Sequence, residues 1–130
     1  QSGAINIAQE DYGMYVIFGL PQGEFKLTDL ISEMDDEILK IQNNLISERD
    51  YQKLLNKFEN GFVSSNASVE GIANSLARYH MLYGDTNLIN NEIDIYRSIT
   101  REEIREVANK YLNTNQRLVL EYLPEPEKAN

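Results

Sequence analysis

The sequence predicts an α+β fold, a small antiparallel sheet with four or five helices gathered on one of its faces. Three observations lead there. Two short runs rich in β-branched and aromatic residues open the chain on either side of a polar turn. A series of apolar stripes with three- and four-residue steps follows, each bounded by cap or turn residues. A last apolar run, "RLVLEYL", closes the order strand, strand, helices, strand. That final strand is expected to pair with the first two across the long helical insertion.

Taken in order, "AINIAQEDYGMYVIFGL" reads as a hairpin. Ile5 and Ile7 alternate with smaller or polar neighbours, and Glu10-Asp11-Tyr12-Gly13 supplies the turn. The second arm, "MYVIFGL", is almost continuously apolar, which predicts burial on both faces. Pro21 and Gly23 end it. Thr28 is expected to cap the first helix, whose stripe is Leu30, Ile31, Met34, Ile38 and Ile41, with Asn43-Asn44 as its stop. Ser47 opens the second helix, with Glu48 and Asp50 placed where the macrodipole favours anions. Its stripe is Tyr51, Leu54, Leu55, Phe58 and Phe62, and Gly61 weakens its end by roughly 1 kcal/mol against alanine. A third helix starts near Asn66 or Ser68, carries Val69, Ile72, Ala73, Leu76, Tyr79 and Tyr83, and stops at Gly84 in a left-handed conformation. Asp85 or Thr86 is expected to cap a short helix running through Ile95. Thr100-Arg101-Glu102-Glu103 has the spacing of a capping box ahead of Ile104, Val107, Ala108, Tyr111 and Leu112. Residues 1–123 thus read as one domain, and the polar "PEPEKAN" at 124–130 as a disordered tail.

Bulk composition narrows the function classes. A net charge of -9 gives an acidic surface that repels phosphates, so neither nucleic acid nor an anionic membrane is an expected partner. Cationic partners and basic peptides suit it, and the charge also serves solubility. The absence of cysteine removes disulfides, thiolate catalysis and thiolate metal sites, and leaves the compartment open. No apolar run approaches the ~18 residues of a membrane span. The opening "QSGAINIAQ" has neither a basic region nor an apolar signal core and begins with Gln1, so the chain reads as a fragment or a product cut from something longer.

The candidates for chemistry are few. His80 is the only histidine, whereas a zinc helix commonly supplies two, four residues apart. No G-x-S-x-G accompanies it to suggest a nucleophile. Asp35, Asp36 and Glu37 are adjacent, so they fan around a helix and do not converge. Glu102 and Glu103 are explained by capping, and "GLPQGEF" lacks the spacing of a phosphate cradle. Tyr79, Tyr83, Tyr96 and Tyr111 recur where helices should meet, which fits a core with hydroxyls at its rim or an aromatic peptide-binding surface. No residue is assigned a catalytic, cofactor-binding or metal role.

The stretch "GIANSLARYHMLYGDTNLINNEIDIYRSITREEIREVANKYL", Gly71 to Leu112, resembles the insulinase-like (pitrilysin, M16) zinc metallopeptidase family. It is similar to the second half of that family's C-terminal, non-catalytic domain. The matching features are Tyr83-Gly84-Asp85 at the end of a helix, the capped Ile99 to Ile104, and Ala108 to Leu112. "EDYGMYVIFGLP" is similar to the strand before the family's first long helix, and "RLVLEYLP" to its terminal strand, so the resemblance spans residues 10–124.

The resemblance implies the LuxS/MPP-like two-layer metallohydrolase architecture and a part in proteolysis without catalysis. The family's catalytic domain carries H-x-x-E-H, which one histidine cannot supply, so the chain is expected not to be an enzyme by itself. None of the arginines at 49, 78, 97, 101, 105 and 117 has a tyrosine seven residues on, the pair the family tends to use on substrate. No cofactor is expected in this chain, and zinc only in a separate catalytic domain. By resemblance the partners are that catalytic domain, in the same or another chain, and peptide substrate. Self-association is a further expectation, because the sheet would be incomplete and its edge unpaired. The alternative function is a stand-alone interaction or assembly module of the same fold with no link to proteolysis. Bacterial relatives are often exported, and the lack of cysteine does not oppose an exported location.

Overall fold

The computed structural model describes residues 1–123; the expected tail at 124–130 lies outside them. The described residues form a two-stranded antiparallel sheet followed by five helices, a small α+β fold. Strands β1 (Ser2–Ala8) and β2 (Gly13–Gly19) pair from Ser2 opposite Gly19 to Ala8 opposite Gly13. The Gln9 N–H donates to the Tyr12 carbonyl at 2.9 Å and closes the turn. At the other end the Leu20 N–H donates to the Gln1 carbonyl at 2.7 Å.

The expected double-sided burial of β2 does not hold. Met14 is 56% exposed, Tyr15 54% and Phe18 40%. Burial on both faces needs a layer on each side, and the hairpin meets helix α1 (Leu27–Asn43) chiefly at one end. There Gly19 lets Leu30 and Met34 approach; a Cβ would come within 2.8 Å of a Leu30 methyl.

Helix α1 starts two residues earlier than expected. Lys26 is its extended N-terminal boundary residue, and the Leu30 N–H already donates to the Lys26 carbonyl, so Thr28 lies inside the first turn and caps nothing. Leu30, Ile31, Met34, Ile38 and Ile41 are half-buried, as the stripe predicts. Helix α2 (Glu48–Ser65) is capped by Ser47, whose hydroxyl accepts from the Asp50 N–H at 3.1 Å. Helix α3 (Val69–Tyr83) is capped by Ser68, which accepts from the Gly71 N–H at 3.0 Å. It stops at Gly84, where φ is +69° and the N–H donates to the His80 carbonyl.

Helix α4 (Leu88–Ser98) follows, and here too the expected cap is displaced. Its boundary residue is Asn87, and Asp85 instead accepts from the Asn87 N–H at 2.9 Å, holding the turn that precedes the helix. Helix α5 (Arg101–Tyr111) has the full capping box: the Glu103 N–H donates to the Thr100 hydroxyl at 3.1 Å, and the Thr100 N–H to the Glu103 carboxylate at 2.7 Å.

After a short 3₁₀ turn, Thr114–Gln116, the expected strand "RLVLEYL" is not formed. A strand exists only through bonds to a neighbouring strand, and among the described residues this segment has none. Arg117 is held by Asp35 of α1 through two parallel bonds, one of them 3.0 Å from Nη2 to Oδ2. Beyond it Leu118, Val119, Leu120, Tyr122 and Leu123 are exposed. The sheet therefore has two strands where three were expected.

The helices pack as pairs, α1 on α5 and α4 on both α2 and α3. Gln42 of α1 donates to the Ala108 and Leu112 carbonyls of α5 at 3.2 and 2.9 Å, and Asn109 returns a bond to the Gln42 carbonyl at 2.9 Å. The two groups are joined at the start of α2, where Tyr51 donates to the Ile99 carbonyl and Arg101 to that of Ile46. Among the described residues only Tyr79 and Ala108 are buried. The chain exposes 10782 Å², against roughly 7,000 Å² for a folded monomer of this mass. Among the described residues no helix is long and apolar enough to cross a membrane.

Candidate apolar groove

An apolar groove lies between α2, α4 and the start of α5. Positions 51, 54, 55, 58 and 62 of α2 recur at three- and four-residue steps, so one side of that helix is apolar over its whole length. Tyr96 of α4 lies flat on Phe58, ring centroids 3.4 Å apart and planes 13° from parallel, and Phe62 stacks beside Phe58 at 6.3 Å. Ile99 and Ile104 close the end nearest α5. The cavity measures about 560 Å³, within the usual range for small-molecule or side-chain sites. It remains half-open: Leu54 is 52% exposed.

Several polar groups at and around the groove's rim are paired. The Tyr51 hydroxyl donates to the Ile99 carbonyl at 2.5 Å. Arg97 donates to Glu59 at 2.6 Å, and Arg101 lies 3.5 Å from Glu48. Burial pushes the Tyr96 hydroxyl above its usual range, with Glu92 adding to the effect. Burial likewise raises the Glu92 carboxyl, and the positive charge of Arg78 offsets part of that. Nothing in this arrangement aims a nucleophile or a convergent acid–base pair into the cavity. What it can do is accept apolar side chains.

His80 lies on the exposed side of α3, next to the buried Tyr79. Asp35, Asp36 and Glu37 separate as their spacing requires: Asp35 turns to Arg117, and Glu37 pairs with Lys40 at 2.5 Å. The guanidinium of Arg117, bonded to the Asp35 carboxylate, holds that carboxyl below its usual range. Glu103 is also lowered, first by the Thr100 N–H and then by its hydroxyl. Among the described residues no group of three His, Asp or Glu side chains is placed to hold a metal. Of the four recurring tyrosines, Tyr79 is buried and Tyr96 is stacked, whereas Tyr83 and Tyr111 are exposed. The groove itself is not foreseen in the sequence. The unusual width of the α2 stripe, with Leu54 and Leu55 side by side ahead of two phenylalanines, is the signal that marks it.

Compared with known proteins, the chain matches no family model, no curated protein and no solved structure.

Proposed function

We propose that this chain is a non-catalytic unit of a pitrilysin-like zinc metallopeptidase, which helps close a proteolytic chamber, supports peptide binding and docks onto a separate zinc-bearing catalytic domain. The resemblance of residues 10–124 to the family's C-terminal domain supplies the context. One structural observation carries the docking role: large apolar side chains stand uncovered along the groove and the hairpin, while two residues alone are buried among those described. Exposed apolar surface on this scale marks a surface meant to be covered. On this reading the chain acts by shape and apolar contact, and the zinc chemistry belongs to its partner.

The test is reconstitution. The chain is incubated with a quenched fluorogenic peptide, alone and mixed with an H-x-x-E-H-bearing catalytic domain encoded in the same genome. Cleavage is expected in the mixture well above that of either component, with zinc bound to the catalytic partner and no effect of His80→Ala. Hydrolysis by the chain alone that is lost in His80→Ala sinks the proposal. A mixture with no complex and no gain in cleavage also sinks it, in favour of a stand-alone interaction module.

A further inference from the structure

We propose that the chain forms a closed two-fold dimer in which residues 117–123 of each copy add as a third strand to the free β2 edge of the other. The first support is the edge itself. Neither β1 nor β2 contains a charged residue or a proline, the devices that normally blunt an open edge. The second is the unpaired segment. "RLVLEYL" carries β-branched, aromatic and leucine side chains, has no ladder partner among the described residues, and matches the seven residues of β2 in length.

Side-chain size favours β2 over β1. Met14, Tyr15, Val16, Ile17 and Phe18 offer a continuous run of large cross-strand neighbours to Leu118, Leu120 and Tyr122, whereas β1 offers Ile5 and Ile7 separated and flanked by the small or polar Gly3, Ala4, Asn6 and Ala8. Charge selects this meeting place for a second copy. Two chains of net charge -9 repel over most of their surface, but the hairpin's two strands are uncharged, its acidic Glu10 and Asp11 being confined to the turn, and 117–123 holds one Arg117 and one Glu121, so strand pairing itself brings no net charge into the contact. Area permits it as well. The exposed 10782 Å² exceeds the compact expectation by about 3,700 Å². Residues 124–130 account for at most about 1,200 Å² of that, the surface of a fully extended peptide. The remainder is above the roughly 1,600 Å² of a standard stable interface. The exchange is reciprocal, so it closes at two copies and does not propagate.

This inference does not depend on any link to a peptidase, and its failure would leave the reconstitution test untouched. The full chain is examined by light scattering and sedimentation from low to high micromolar concentration, alone and with Val119→Pro and Leu120→Pro combined. Val119 and Leu120 are exposed and outside every helix and strand, so the far-ultraviolet circular dichroism of the variant should be unchanged. The dimer is expected in the unsubstituted chain, and the double proline should raise its dissociation constant about tenfold or more: the reciprocal bonds of Gln1 and Leu20 set a register in which Val16 turns its N–H and C=O toward β1, so one of the N–H groups at 119 and 120 is a ladder donor whichever way the segment runs. Position assigns the contact. Val16 and Leu120 are the centres of the two seven-residue segments and stand opposite each other whichever way the strands run. With no native cysteine to interfere, a Val16→Cys chain mixed with a Leu120→Cys chain should give a mixed disulfide under mild oxidation. A monomer at all concentrations, a dimer indifferent to the double proline, or a disulfide that forms only within one doubly substituted chain overturns the proposal.

Discussion

The joint between α1 and α5 and the β1–β2 hairpin are both well bonded, yet they differ in what covers them. At the joint, Ala108 is 4% exposed. Gln42 and Asn109 bridge the two helices through three bonds that span more than sixty residues of sequence. In the hairpin every residue of one strand has a partner on the other, and its large side chains still face solvent. A two-stranded sheet is marginal in water unless something packs on it. Local order and burial are therefore separate achievements. The helices have both at the joint; the hairpin has the first and waits for the second.

The largest effect should come from filling the joint. Ala108→Leu forces extra methylenes between α1 and α5 and is expected to cost about 2–3 kcal/mol. Urea denaturation followed at 222 nm should show a lower midpoint with an unchanged slope. The matched change on the hairpin, Tyr15→Ser at a 54% exposed position, should stay within about 0.5 kcal/mol. If the two substitutions cost the same, the contrast between the regions is wrong.

Gly71→Ala ranks next. Gly71 begins α3 directly against the end of α2, and a Cβ there would run into the Ser65 carbonyl oxygen. Backbone cannot yield as a side-chain tip can, so a loss of about 2 kcal/mol is expected despite alanine's better helix propensity. A stabilised Gly71→Ala variant would show that α2 and α3 meet differently.

How much of this was legible follows from range. Ser47, Ser68, Gly84 and the Thr100–Glu103 box were all readable because each is satisfied within four residues of chain. Thr28 and Asp85 were misplaced because a cap depends on the angle at which the chain enters the helix, and the stretches after Pro21 and Gly84 set that angle. The stripes of α1 and α2 marked their covered sides apart from Leu54, but in α3 Leu76 and Tyr79 are covered while Val69, Ile72, Ala73 and Tyr83 of the same stripe are exposed. In α5 Ala108 and, just past its end, Leu112 meet α1 through Gln42, and Ile104 turns to the groove, whereas Val107 and Tyr111, one step round, are exposed. Burial of β2 and pairing of 117–123 depend on what lies alongside, which no local pattern records. The same holds for the groove, since Tyr96 reaches Phe58 only after α2 and α4 pack. The α+β class survives these misses because it depends on element type and order alone.

A smaller and more local effect is expected at the α5 cap. Thr100→Ala removes the hydroxyl that accepts from the Glu103 N–H and should cost about 1 kcal/mol, seen as an equal fall in urea midpoint at low and high salt. Because the box lies beside the Ile99 carbonyl that receives Tyr51, the same variant should also loosen the groove's α5 end. Hydrogen exchange at Glu103 and Ile104 should quicken while the hairpin amides keep their own faster rates.

The smallest effect is also the one that touches both regions, because Asp35 on the helical side holds Arg117 at the root of the exposed segment. Asp35 has its carboxyl lowered by the bond to Arg117, with burial partly opposing. A carboxyl with a lower value folded than unfolded stabilises above its unfolded value, near 3.9, and loses that contribution as pH falls through the folded one. Asp35→Asn should therefore cost about 0.5 kcal/mol at neutral pH, the scale of a partly exposed pair. The difference from the unsubstituted chain should shrink steadily below about pH 4. At neutral pH the variant should also be cut faster by a protease after Leu118 or Leu120, since the tie that holds the segment's root is weakened. A stability difference that persists unchanged in acid would mean that Asp35 contributes through packing on α1, and that the segment is held by something other than this ion pair.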